Sequence, residues 1–98
     1  MRVEWLRTAL ANLNAEAEYI ARDNPAAAAR VVKSILAAVE RLAEYPAMGR
    51  PGRVPGTREL IVTKTPYIIP YRVRGDVVEL LRVFHAARKW PSHFRSDR

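Results

Sequence analysis

The sequence predicts a single α+β domain over residues 1–98, with an N-terminal helical hairpin packed on one face of a small, mainly antiparallel β-sheet. Two amphipathic helical patterns fill the first half of the chain. Three runs rich in Val, Ile, Leu, Tyr and Thr fill the second half, and short turn sequences separate them. Helices followed by a run of strands are typical of α+β proteins, and 98 residues suffice for one hydrophobic core.

The first helix is predicted from about Arg7 to near Asp23. A short strand over residues 2–6 precedes it, with Val3 and Trp5 on one side. The apolar positions of the helix recur at helical spacing, at Leu6, Leu10, Leu13, Ala17 and Ile20. The pattern predicts that this stripe is buried.

The second helix is predicted to start at Pro25, with Asn24 as its N-cap. Proline suits a first helical position, where its missing N–H would have no partner, and an Asn side chain accepts from the free N–H groups that follow. Its apolar stripe consists of Ala28, Val32, Ile35, Val39 and Leu42. The short connection implies an antiparallel hairpin, which we interpret as scaffold because neither helix carries a histidine or a facing carboxylate pair.

The three strands are predicted over Thr57–Lys64, Tyr67–Arg74 and Val77–His85, with turns at residues 65–66 and 75–76. In the middle strand Tyr67, Ile69, Tyr71 and Val73 alternate with Ile68, Pro70, Arg72 and Arg74, so one face is apolar and the other mixed. In the last strand Leu81 and Val83 oppose Leu80, Arg82 and Phe84. Proline cannot donate a ladder hydrogen bond, so irregular pairing is expected at Pro70.

The net charge of +7 lies entirely in the second half of the chain. Residues 1–49 contain six basic and six acidic side chains, whereas residues 50–98 contain eleven Lys or Arg and four Asp or Glu. A one-sided positive field favours a polyanion or an acidic protein as partner, or serves solubility alone. Arg50 and Arg53, in the Pro- and Gly-rich loop over residues 47–56, have no acid close to them in sequence and either bind anionic groups or are solvated.

Composition excludes several classes of protein. The absence of Cys excludes a disulfide scaffold and thiol catalysis, and no apolar run is long enough to span a bilayer. A soluble, cytoplasmic protein is expected. With only His85 and His93 and no carboxylate cluster, neither a metal site nor a cofactor is expected. The tail after Trp90 has no periodicity and is expected to be frayed, or ordered only by a partner.

A possible catalytic group lies on the strands and just beyond them. Cleavage of RNA through its 2′-hydroxyl needs a base, an acid and cations around the phosphate. His85 would act as acid or base, Arg72 and Arg82 would stabilise the phosphate charge, and Glu59 would be a reserve base. The alternative is that His85 is an ordinary hydrogen-bonding residue and that the arginines are solvated.

Several segments, in order, resemble the ParE/RelE superfamily of toxins from bacterial type II toxin–antitoxin systems. They are Val3-Glu4-Trp5, Asp23-Asn24-Pro25, Pro46-Ala47-Met48-Gly49-Arg50, Gly56-Thr57-Arg58-Glu59-Leu60, Tyr67-Ile68-Ile69-Pro70-Tyr71-Arg72-Val73 and Leu81-Arg82-Val83-Phe84-His85-Ala86-Ala87-Arg88. The resemblance implies a helical hairpin on one face of the sheet, with the opposite face exposed. It also implies a cognate antitoxin whose acidic or amphipathic C-terminal segment wraps the toxin and forms a hetero-oligomeric complex with it.

The superfamily divides by mechanism, and the two target classes predict different roles for the same residues. RelE-like members cut mRNA in the ribosome, and ParE-like members poison DNA gyrase. Ile68 stands where RelE-like chains often carry Arg, and the signatures around Arg58 and His85 are closer to ParE and its plasmid-stabilisation relatives. The resemblance therefore favours a gyrase-directed toxin that is not an enzyme, with a ribosome-dependent endonuclease and a degenerate toxin that retains only antitoxin binding as alternatives.

The resemblance and the charge pattern together select two sets of candidate residues. Under the endonuclease alternative the catalytic residues would be His85, Arg88, Arg82 and Arg72. The residues expected to bind the target or the antitoxin are Arg50, Arg53, Arg58, Arg72, Arg82, Arg88, Lys89 and Trp90.

Overall fold

The computed structural model describes residues 1–87, 90–91 and 93–94. The elements in chain order are β1 (Arg2–Trp5), α1 (Arg7–Ala21), α2 (Pro25–Glu44), β2 (Arg50–Pro51), β3 (Arg58–Ile61), β4 (Tyr67–Arg74), β5 (Val77–Leu80) and β6 (Phe84–His85). The predicted α+β class and the N-terminal helical hairpin are confirmed. No helix among the described residues is both long and apolar enough to cross a membrane.

The strands form one mixed sheet in the order β1-β5-β4-β3-β2, and β6 pairs with β4 beyond the end of β5. All neighbouring strands are antiparallel except β1 and β5, which run parallel with Arg2 opposite Val77 and Trp5 opposite Leu80. The helical hairpin is the connection that carries the chain from β1 to the rest of the sheet. The hydrophobic core lies between this hairpin and the sheet.

Helix α2 follows the sequence prediction. Asn24 Oδ1 accepts a hydrogen bond from the N–H of Ala27 at 3.0 Å, which satisfies one of the free donors of the first turn. The buried residues of the helix are Ala28, Ile35, Val39 and Leu42, with Val32 partly buried. They pack on the inner face of the sheet, which we define as the face toward the helices and which carries Leu60, Ile69, Tyr71, Val78 and Leu80.

Helix α1 follows the predicted stripe in part. Leu6 and Leu13 are buried as predicted, and Ile20 packs against the core. Leu10, also predicted to be buried, is 46% exposed, and Ala9 and Glu16 are buried instead. Spacings of four and three residues fit both sets, so periodicity alone did not separate them. Burial of Glu16 is possible because the Tyr67 hydroxyl donates a hydrogen bond to its carboxylate at 2.9 Å.

The predicted third strand is interrupted, and the interruption changes which face its residues occupy. Tyr71 pairs with Leu80 and Ile68 pairs with Phe84, so the two residues 69–70 of β4 face the three residues 81–83. This is a β-bulge, and it lies beside Pro70, where irregular pairing was expected. Because of the extra residue, Leu81 and Val83 do not share a face as predicted. Val83 joins the core on the inner side, where its N–H donates to Asn12.

The first predicted strand, Thr57–Lys64, is shorter than expected. The pairing of β3 ends at Ile61, and Lys64 has φ 64°, a left-handed conformation that turns the chain toward β4. The short strand β2 was not predicted. It pairs Arg50 with Glu59 and thereby makes part of the Pro- and Gly-rich loop an edge of the sheet.

Candidate functional site

The outer face of the sheet, which we define as the face away from the helices, holds two clusters of arginine and glutamate. Antiparallel pairing puts side chains of directly opposite residues on the same face. Glu59 of β3 is therefore on the same side as Pro70, and Glu79 of β5 is on the same side as Arg72. Both glutamates are buried, with 1% and 0% of their surface exposed.

Glu59 organises the first cluster. Its Oε1 accepts hydrogen bonds from Arg50 Nε at 3.0 Å and from Arg50 Nη2 at 2.9 Å. Its Oε2 accepts from the backbone N–H of Arg53 at 2.8 Å, and the Arg53 Nε lies 3.6 Å away. Arg50 and Arg53 therefore do have an acidic partner, contrary to the sequence interpretation, because the β2–β3 pairing carries Glu59 back to them.

Glu79 organises the second cluster. Arg72, directly opposite in β4, donates from Nε to Glu79 Oε1 at 2.7 Å, and Arg74 Nε lies 3.7 Å from the same oxygen. The guanidinium-bearing side chain of Arg72 is 24% exposed and that of Arg74 is 60% exposed. A carboxylate without water is costly unless it is paired, so Arg72 stabilises the fold as well as contributing charge.

The two clusters leave the outer face positively charged. Four arginines share two carboxylates, and four positive charges minus two negative charges leave an excess of two. Arg82 also lies near this face, with its guanidinium carbon 5.3 Å from the centre of the Phe94 ring. Buried glutamates fix the arginines in position, so their remaining N–H groups form a fixed surface suited to an acidic partner.

Aromatic side chains from the C-terminal part of the chain cover part of this face. Trp90 packs edge-to-face against Phe84 with ring centroids 4.8 Å apart, and the Arg53 guanidinium lies 4.0 Å from the centre of the Trp90 ring. Phe94 packs against Phe84 at 6.1 Å. The expectation of an exposed opposite face is therefore wrong in part, because the apolar residues Ile68, Pro70 and Leu81 on that side are buried.

His85 lies on the other side of the sheet from Arg72. It pairs with Tyr67, whose side chain faces the helices, and the two rings meet edge-to-face with centroids 5.8 Å apart. His85 Nδ1 accepts a hydrogen bond from the N–H of Ala87 at 3.2 Å, which leaves the hydrogen of the neutral ring on Nε2. With Glu16 and Tyr67, His85 lines a cleft of about 420 Å³ at the end of β4.

The candidate residues therefore divide between three places. Arg50, Arg53, Arg72, Arg82 and Trp90 lie together on the outer face, and His85 lies on the inner side. Arg58 is opposite Tyr71, and its Nη1 donates to the carbonyl of Gly49 at 2.8 Å, so it braces the loop between α2 and β3. Arg88 and Lys89 lie outside the described residues.

Two buried glutamates and a tyrosine belong to the site, and of these three residues the sequence had singled out only Glu59. Glu59, considered as a reserve base, has both carboxylate oxygens engaged by Arg50 and Arg53. Glu79 stands seven residues from Arg72 across a two-residue turn at Gly75 and Asp76, a spacing that could have revealed the pair. The third residue, Tyr71, is buried beneath the arginine-bearing loop.

Two further features bear on binding. A cleft of about 750 Å³ on the surface of the helical hairpin has mostly apolar walls, which include Ala28, Val32 and Leu36. Among the described residues, no three His, Cys, Asp or Glu side chains are grouped so that they could hold a metal ion.

Comparison with known proteins agrees with this architecture. Residues 3–90 match the family described as ParE toxin of type II toxin–antitoxin system, parDE. The chain is 54% identical over 90 residues to a toxin named Y4kP from Sinorhizobium fredii, covering 92% of this chain and 93% of the relative. It is 41% identical over 87 residues to toxin RelE2 from Caulobacter vibrioides, covering 89% and 97%. A solved structure titled chromosomal ParDE TA system from P. aeruginosa superposes with a TM-score of 0.77 at 33% identity, covering 87% of this chain and 95% of that one.

Proposed function

The chain belongs to the ParE toxin family of type II toxin–antitoxin systems, and from this premise we propose that it arrests bacterial growth by binding and poisoning DNA gyrase. One observation carries the proposal against the nucleolytic alternative. His85 and Arg72 occupy opposite faces of the sheet, so the only described histidine on a strand does not converge with the arginines that would stabilise a phosphate. General acid–base catalysis requires that convergence.

The chemistry of the neighbouring groups also supports a binding role. His85 Nδ1 already accepts the N–H of Ala87, and both oxygens of Glu59 accept hydrogen bonds from the arginine loop. Both groups are therefore already engaged in hydrogen bonds in this arrangement. Fixed arginines beside a partly buried tryptophan are instead typical of protein-binding surfaces, where Arg and Trp are enriched among the residues that dominate affinity.

The experiment incubates purified toxin with gyrase and supercoiled DNA, and separately with translating ribosomes, each with and without the antitoxin. The proposal predicts cleaved DNA that requires gyrase and disappears when the antitoxin is added, with the ribosomal mRNA left intact. A His85→Gln variant should act on gyrase as the wild type does. Cleavage of ribosome-bound mRNA that His85→Gln abolishes would establish the endonuclease instead.

A third outcome concerns the possibility that the chain retains only antitoxin binding. Induced expression of an active toxin arrests growth, and co-expression of its antitoxin restores it. Normal growth despite accumulation of folded toxin would identify a degenerate copy and reject both active mechanisms.

The partner that neutralises the toxin is proposed to be a ParD-type antitoxin with an acidic, amphipathic segment. Its acidic residues would complement the positive excess of the outer face, and its apolar residues would cover the cleft beside Leu36, which is 44% exposed. Leu36→Glu should weaken antitoxin binding at least about 10-fold, because a charge would be desolvated in the cleft. Arg30→Glu, on the same helix but outside the cleft, is the matched control. Equal effects of the two variants would contradict this location.

A further inference from the structure

A single buried hydroxyl joins the end of α2 to the start of β2. Tyr71 is fully buried in the core, and its Oη donates a hydrogen bond to the carbonyl of Pro46 at 2.7 Å. The same oxygen accepts from the backbone N–H of Gly49 at 2.9 Å. Residues 46 and 49 bracket the first turn of the loop after the helix, so this turn is tied at both ends to one side chain of β4.

The loop is packed too closely around Tyr71 for a side chain at residue 49. A Cβ on Gly49 would lie 2.6 Å from both Oη and Cε1 of Tyr71, and 2.9 Å from the carbonyl oxygen of Glu59. A Cβ atom does not approach other heavy atoms this closely in real structures, so the contact between the loop and Tyr71 requires a glycine at residue 49. On the far side of the loop, Arg58 Nη1 donates to the Gly49 carbonyl at 2.8 Å.

The arginines of the first cluster begin at the next residue. Arg50 follows Gly49 directly, and its side chain reaches Glu59 from the strand β2 that Gly49 leads into. Gly52 N–H donates to the Thr57 carbonyl at 2.8 Å, and Arg53 N–H donates to Glu59 at 2.8 Å. The loop therefore has two anchors, the Tyr71 hydroxyl at its start and the Glu59 carboxylate at its centre.

We propose that Tyr71 is a positioning residue of the toxic surface, which holds the loop over residues 46–53 in the conformation that presents Arg50 and Arg53 to the target. The proposal rests on the proposed function, since it assigns Tyr71 a role in the binding of that target. Tyr71 itself is fully buried and touches no partner. A loop fixed before binding loses less conformational entropy on association than a mobile one, and that difference appears as affinity.

The same strand contains a matched control. Tyr67 is also buried in β4, and its hydroxyl also has a buried partner, but that partner is Glu16 on α1, far from the arginine loop. Tyr71→Phe and Tyr67→Phe each remove one buried hydroxyl from the same strand. A general loss of stability would affect them alike, whereas loss of loop positioning would affect only the first.

The first measurement is amide hydrogen exchange in the free toxin at a temperature where wild type and both variants are fully folded. Exchange at Gly49 should accelerate at least about 10-fold in Tyr71→Phe, because the hydroxyl that accepts its N–H and closes the turn is lost. Exchange at Arg53 should rise with it, because the loop that holds its N–H against Glu59 is then less fixed. Tyr67→Phe should leave both amides unchanged. Equal exchange in all three proteins would overturn the positioning role, whatever the cellular target is.

The second measurement is the toxin concentration that gives half-maximal gyrase-dependent DNA cleavage. Tyr71→Phe should need at least about 5-fold more toxin than wild type, and Tyr67→Phe less than about 2-fold more. If Tyr71→Phe proves too unstable, Gly49→Ala displaces the loop while leaving the core tyrosine in place, and it should show the same shift. Normal activity of Tyr71→Phe would overturn the inference. If the wild type itself does not act on gyrase, the proposed function is wrong, but the inference is not decided by that result. The hydrogen-exchange measurement then still tests whether Tyr71 positions the loop.

Discussion

At the scale of single residues, the two arginines that pair with Glu79 differ in their distance from its carboxylate and in their burial. Arg72 lies 2.7 Å from the carboxylate and is mostly buried, whereas Arg74 lies 3.7 Å away and is mostly exposed. Arg72→Ala should lower the free energy of unfolding by about 2–3 kcal/mol, because a buried carboxylate loses its shortest charged hydrogen bond. Arg74→Ala should cost less than about 1 kcal/mol. Urea denaturation measures both, and equal costs would show that Glu79 does not depend on Arg72.

Because Arg72 is the closer partner of Glu79, a test of its role in toxicity must also control for protein stability. The sequence places Arg72 on the mixed face of the middle strand, where it is expected to matter for toxicity more than for folding. Since the residue also neutralises a buried charge, loss of growth arrest in Arg72→Ala must be compared at equal amounts of folded protein. Arg74→Ala, which removes the same charge from the same cluster, provides that comparison.

Also at the residue scale, the Tyr71 hydroxyl predicts a dependence of stability on alkaline pH. Burial raises the pKa of Tyr71, although the hydrogen bond from Gly49 and the charge of Arg58 act in the opposite direction. An unfolded tyrosine ionises near pH 10, while the folded one keeps its proton to higher pH. The contribution of Tyr71 is therefore complete below about pH 10 and is lost as the pH rises through the folded pKa. Unfolding free energies measured from pH 8 to 11 should fall more steeply in wild type than in Tyr71→Phe, and parallel curves would contradict this.

At the scale of elements, α2 is the helix whose buried side holds the hairpin to the sheet. Ile35 is fully buried in the core, and its neighbour Leu36 faces outward. Ile35→Ala should destabilise the protein by about 2–4 kcal/mol through lost transfer energy and the cavity it leaves. Leu36→Ala, an aliphatic truncation at the next position, should cost less than about 1 kcal/mol. Thermal unfolding of the two variants separates them, and similar midpoints would show that the helix packs in another phase.

The elements also show what the sequence could predict. The Asn24 cap and the stripe of α2 depend on residues close together in the chain, so local rules identified them. The bulge at residues 81–83 depends on which residues of β4 lie opposite. The alternation of apolar and polar residues within one strand does not determine that pairing register. The burial of Glu16 depends likewise on Tyr67, 51 residues away.

The candidate site was predicted in part for the same reason. Arginines on the polar face of the middle strand followed from alternation, and Arg72 and Arg74 do lie there. Their carboxylate partners required the pairing of strands, as did the separation of His85 from Arg72. Within the described residues, the local sequence pattern was sufficient to identify the arginines on this face, whereas the fold was needed to show which glutamates they pair with.

At the scale of the whole molecule, the positive charge predicts how the toxin meets an acidic partner. All of the net +7 lies in residues 50–98, and electrostatic attraction of this kind mainly accelerates association. The association rate constant with antitoxin should fall at least about 10-fold between 0.05 and 0.5 M NaCl, because the screening length shortens below about 10 Å over this range. The dissociation rate should change much less. Surface plasmon resonance measures both, and an Arg50→Gln/Arg53→Gln variant should show a weaker salt dependence.

The parallel pairing of β1 with β5 has a consequence for how the protein is made. Strand β1 leaves the ribosome first, yet its partner begins at Val77, 75 residues after Arg2. At typical bacterial and eukaryotic synthesis rates of about 5–20 residues per second, β1 waits roughly 4–15 s for that strand. A nascent chain that stalls before residue 77 has its helical hairpin but lacks β5, which joins β1 to the rest of the sheet. Termination before residue 77 therefore yields an incomplete sheet in which β1 has no partner strand.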